Sequence, residues 1–72
     1  MNLFTTNTKE IFPQAMPGIV EEAIATNQPG RVKFKTTYWP AILFEEKSIS
    51  LAPGQKIAVV GRIGITLLIS PL

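Results

Sequence analysis

The side chains that could carry chemistry in this sequence are few. It has 72 residues, with no histidine and no cysteine. That removes an imidazole base, a thiolate nucleophile, a Cys/His zinc site and a disulfide framework together. Two acidic pairs remain, Glu21-Glu22 and Glu45-Glu46. Neighbouring carboxylates on a strand point to opposite faces, so they are poorly placed to share a substrate or a metal. Paired-carboxylate catalysis also needs a partner base or a raised pKa, and nothing nearby supplies either. Ser48, Ser50 and the threonines have no histidine to activate them, and no glycine-rich phosphate loop precedes a helix. These observations lead to the expectation of a protein that is not an enzyme and needs no cofactor or metal.

The one constellation with binding chemistry is basic. Arg31, Lys33 and Lys35 alternate along a stretch that precedes Tyr38. A row of cations with an aromatic on which a base could stack is the raw material of a single-strand nucleic-acid surface. The same row also serves as a solvated strand face that discourages edge pairing. Seven Lys and Arg against five Glu leave a net charge of only +2. Nucleic-acid binders usually show a stronger, clustered footprint and several aromatics, so the solvated face is favoured.

The elements that must hold these residues are strands. Hydrophobic residues are 46% and charged residues 17% of the chain, the balance of a packed domain. At this length folding buries only about 60% of the surface of the unfolded chain, so the core must be small or shared with another copy. After the turn Asn27-Gln28-Pro29-Gly30, Val32 and Phe34 alternate with the three cations. A short turn near 35–37 leads to Trp39, Ala41 and Leu43 on one face and Tyr38, Pro40 and Ile42 on the other. An even-residue hairpin puts Trp39 and Ala41 beside Val32 and Phe34, which makes Trp39 a core residue rather than an exposed anchor. Pro40 cannot donate to a ladder and marks an edge or a bulge.

Residues 45–50 form a polar loop, and Ala52-Pro53-Gly54 is a turn. Ile57 to Val60 and Ile65 to Ile69 flank Gly61 and Gly64 and read as a second hairpin. Its strands are apolar on both faces, since Ala58, Val60 and Leu68 accompany Ile57, Val59, Leu67 and Ile69. A second cover is therefore expected over Ala58, Val60 and Leu68, either from the N-terminal segment or from another copy of the chain. Residues 1–17 read as a loosely ordered arm, or one docked through Phe12, and 18–72 as the domain. From Gly18 to Thr26 the pattern fits both helix and strand, with a slight local preference for helix. Strands joined by short turns make an all-β barrel or sandwich the natural closure.

Four motifs, Gly30-Arg31-Val32-Lys33-Phe34, Tyr38-Trp39-Pro40-Ala41, Pro53-Gly54-Gln55-Lys56-Ile57-Ala58-Val59-Val60 and Gly64-Ile65-Thr66-Leu67-Leu68-Ile69, resemble in order and spacing the C-terminal domain of NfeD-like proteins. The resemblance runs from Gly18 to Pro71. It implies a small five-stranded OB-like β-barrel in which residues 18–26 are strand. It further implies a non-catalytic protein-interaction module, partnering a stomatin- or flotillin-like membrane scaffold or self-associating. The sequence departs from the family pattern near Thr36, where a glycine is usual, and at Pro40, where a polar residue is frequent. A nucleic-acid-binding OB domain using Arg31, Lys33, Lys35 and Tyr38 is the alternative. The start lacks a secretory pattern, and the longest apolar stretch is shorter than the about 20 residues that span a bilayer, so a cytoplasmic chain is expected, peripheral to a membrane at most through its partner.

Overall fold

A computed structural model describes residues 8–45 and 47–72. They form seven strands and no helix: β1 (Lys9–Glu22), β2 (Ile24–Ala25), β3 (Gly30–Phe34), β4 (Thr37–Leu43), β5 (Ser50–Leu51), β6 (Lys56–Ile63) and β7 (Thr66–Pro71). Five of them close a barrel in the order β1-β3-β4-β7-β6. All neighbours are antiparallel except β4 and β7, which run parallel through Ala41↔Leu67 to Leu43↔Ile69. The chain is thus the all-β, five-stranded OB-like barrel expected. Closure removes the sheet edges that a five-stranded open sheet would leave for aggregation.

The alternation read from the sequence sets the inside. Val32 and Ala41 are fully buried, while Arg31, Lys33 and Tyr38 are exposed. Val32 pairs with Trp39 and Phe34 with Thr37, so the hairpin has an even two-residue turn at Lys35-Thr36. Val20 and Ile24 join from the first two strands, Ile57 and Val59 from β6, and Leu67 and Ile69 from β7. Each such side chain contributes about 1.5–3 kcal/mol when fully buried, which is how so short a chain sustains a core. Ile24 and Leu51 are both buried and pair across the small β2-β5 sheet, adding to the core where β3 begins.

Strand, not helix, is the outcome over residues 18–22 and 24–25, with Thr26 in the turn that follows. Local periodicity slightly preferred a helix, but Ile19 and Val20 pair with Lys33 and Val32, and non-local ladder bonds outweigh a weak local preference. The arm expected over residues 1–17 is barrel wall from Lys9 on. Lys9, Glu10 and Ile11 pair with Ile63, Arg62 and Gly61, and Met16 and Pro17 pair with Val59 and Ala58. Between these two ladders, residues 12–15 bulge out opposite Val60, and Phe12 packs against the core. Docking through Phe12 therefore describes this part; residues 1–7 of the arm lie outside the described residues.

Candidate interaction surface

The basic ladder stands on the outer wall of β3, and the fold adds to it from both sides. Lys33 pairs with Tyr38 on β4. On the other side Lys33 pairs with Ile19 on β1, and Ile19 in turn pairs with Lys56 on β6. Directly opposed residues share a face, so Tyr38, Lys33, Ile19 and Lys56 form one row across four strands, each about 4.8 Å from the next. All four are exposed, with Tyr38 at 51% and Ile19 at 44%.

Lys33, Ile19 and Lys56 border a groove of about 410 Å³ whose walls also include Pro17, Lys35 and Ile57. That volume lies in the range of sites that accept a small ligand or a few side chains. Among the described residues three lysines and no glutamate side chain line it, and Leu72, the last residue of the sequence, borders it as well. Glu21, the nearest acidic residue on β1, sits two positions beyond Ile19, past the groove.

The three expected cations do not act as one set. Arg31 is tied to Glu22 by an ion pair of 3.2 Å across the β1-β3 ladder. Lys35 sits in the hairpin turn with its ammonium 5.4 Å from the centre of the Phe34 ring, a cation–π distance. Lys33 takes part in none of the ion pairs among the described residues, and neither does Lys56. Two further carboxylates are similarly committed: Glu45 holds Lys47 at 3.4 Å and Glu10 holds Arg62 at 3.0 Å. Among the described residues no three acidic side chains gather as metal ligands would.

Leu68, expected to need cover from the N-terminal segment or from another copy, is only 2% exposed within the chain. A bulge at Val60 shifts the β6 register, so that Val59 pairs with Ile69 but Gly61 with Leu68. The shift places Leu68 between Ile42 on β4 and Gly61, with Ile11 beyond Gly61. Lys9 reaches over the Phe44 ring at 5.7 Å on the same side. Lys9 and Ile11 of the first strand lie on this side, and Leu68, buried within the chain, is unavailable as a surface residue. Val60 is half-buried, as is Ala58, which lies between Pro17 and Ser70.

Ile19 and Lys56 were missed as site residues. Ile19 lay in the stretch with two competing periods, and Lys56 stands just after a turn, 37 positions from Ile19, with no local sign of its neighbour. Compared with protein-family models, curated proteins and solved structures, the chain matches none.

Proposed function

We propose that this chain is a non-catalytic protein-interaction module, an OB-like barrel of the kind its motifs resemble in NfeD-like proteins, that docks a protein through its outer wall. The observation that carries the reading is the row Tyr38-Lys33-Ile19-Lys56, where two exposed side chains with large apolar bodies alternate with two cations outside the ion pairs of the described residues. Tyr is enriched where partners dock, and a mixed row gives both burial and orientation. A stomatin- or flotillin-like scaffold is the partner the resemblance implies, with a second copy of the chain as the other protein candidate. The chain then works in the cytoplasm, brought to a membrane by its partner. Among the described residues no helix is long and apolar enough to cross a membrane.

A nucleic-acid surface is the competing reading, favoured by the direct pairing of Lys33 with Tyr38. The commitment of Arg31 to Glu22 and the single aromatic of the row weigh against it. Purification of a tagged copy from its native cells, followed by nuclease treatment, separates the two. A stoichiometric protein that survives nuclease and is lost with Tyr38→Ser supports the module. Recovery of nucleic acid alone, or of no partner at all, rejects it.

A further inference from the structure

The net charge of the chain is not spread over its surface. Of seven cations, Arg31, Lys47 and Arg62 make ion pairs among the described residues, while Lys9 and Lys35 lie against aromatic rings. The remaining two, Lys33 and Lys56, flank one exposed aliphatic residue, Ile19, on the rim of a groove lined by no glutamate side chain among the described residues. Two ammonium groups held on strands about 10 Å apart, on either side of an apolar floor, repel one another and are relieved by an anionic occupant.

We propose that this groove binds an acidic peptide segment of a protein partner, seating one apolar side chain on Ile19 and carboxylates on Lys33 and Lys56. The proposal rests on the interaction-module reading and deepens it by naming the chemistry of the partner. Three features select a peptide among anionic ligands. The exposed floor is aliphatic, formed by Pro17 and Ile19 of the first strand, so it offers no stacking platform for bases, and Tyr38 lies beyond Lys33. The site is a groove, which suits a chain segment better than the broad face of a bilayer. The alternation of cation, aliphatic and cation asks for the reverse alternation in the ligand, and an acidic polypeptide supplies it, with two carboxylates flanking an apolar side chain at the spacing of an extended chain.

The test is fluorescence anisotropy of the whole chain with a labelled peptide, Glu-Asp-Leu-Glu-Asp-Leu-Glu-Asp. Saturable binding is expected, weakening several-fold between about 50 and about 300 mM NaCl as rim charges are screened. Lys33→Glu with Lys56→Glu is expected to weaken it about tenfold, through two lost ion pairs and added repulsion. Ile19→Ser and a peptide with Ser for Leu are each expected to lose several-fold. Lys47→Glu, outside the groove, is expected to change binding less than twofold. All these side chains are exposed, so folding should persist; Lys33→Gln with Lys56→Gln gives the same readout without repulsion should the charge reversal unfold the chain.

Peptide binding untouched by both double variants overturns the proposal. Tighter, lysine-dependent binding of phosphatidylserine vesicles or of a dT oligonucleotide overturns it as well. If the nuclease-resistant cellular partner is retained by the Lys33→Glu, Lys56→Glu chain, the groove is rejected while the module reading stands. If no protein partner is recovered, both fall.

Discussion

Thr36 follows Lys35 through two consecutive positive φ angles, 51° at Lys35 and 66° at Thr36. Positive φ at both central residues of a two-residue hairpin is the signature of a type I′ turn, whose twist matches the flanking strands. The left-handed region costs a residue with a Cβ about 1–2 kcal/mol, and a β-branched threonine is among the least suited to it. Glycine removes that cost but adds about 0.5–1 kcal/mol of chain entropy. Thr36→Gly is therefore expected to raise stability by about 0.5–1 kcal/mol. Urea unfolding reads this directly, and an unchanged or lower midpoint would show that the turn carries no strain.

Trp39 packs against the core from the strand face predicted for it, but it is only half-buried and its Nε1 is enclosed without an acceptor among the described residues. An indole N–H without a partner costs about 1–3 kcal/mol, which offsets part of what the ring contributes. Trp39→Ala should cost about 3 kcal/mol, the low end for a large aromatic, whereas Trp39→Phe should cost about 1 kcal/mol or less because the orphan donor goes with it. Equal losses for the two variants would mean that the N–H is satisfied in solution.

Gly30 stands where β3 passes beneath the connection from β1 to β2. A Cβ there would fall on the carbonyl oxygens of Ala23 and Glu22 and within 2.5 Å of Ile24 Cγ1. Backbone atoms yield less readily than side-chain tips, so Gly30→Ala is expected to cost about 3 kcal/mol, the upper part of the overpacking range. Gly54→Ala is the contrast: no atom lies within 4 Å, but its φ of +90° makes the cost conformational alone. Thermal melts of the two variants, compared side by side, test whether crowding at Gly30 outweighs backbone strain at Gly54.

The nucleic-acid alternative makes a separate demand. With Arg31 held by Glu22 and one aromatic in the row, single-stranded oligonucleotides are expected to bind only non-specifically, with Kd of about 10⁻⁴–10⁻⁶ M at physiological salt. Arg31, Lys33 and Lys35 replaced together by Ser should abolish even that association. Sub-micromolar binding lost on Tyr38→Ala would instead establish the stacking surface and displace the peptide-docking reading.

Where local period and tertiary environment agreed, the fold was legible in the residues themselves. Val32, Phe34, Trp39 and Ala41 fall on one face because a strand repeats every two residues, and an even turn preserves that parity across the hairpin. Ile57, Val59, Leu67 and Ile69 follow the same rule and form the inside of the last hairpin. The basic face of β3 was legible for the same reason.

Two features were decided only by the closed barrel. The apolar period of residues 18–26 suits helix and strand alike, and the choice fell to ladder bonds from residues distant in sequence. Leu68 has the parity of an exposed residue, but a single extra residue at Val60 shifts the register around it and the folded chain leaves it only 2% exposed. The candidate site belongs to this second kind: Lys33 and Lys56 are 23 positions apart in the chain, and they face one another across Ile19 only because β1 pairs with β3 on one edge and with β6 on the other.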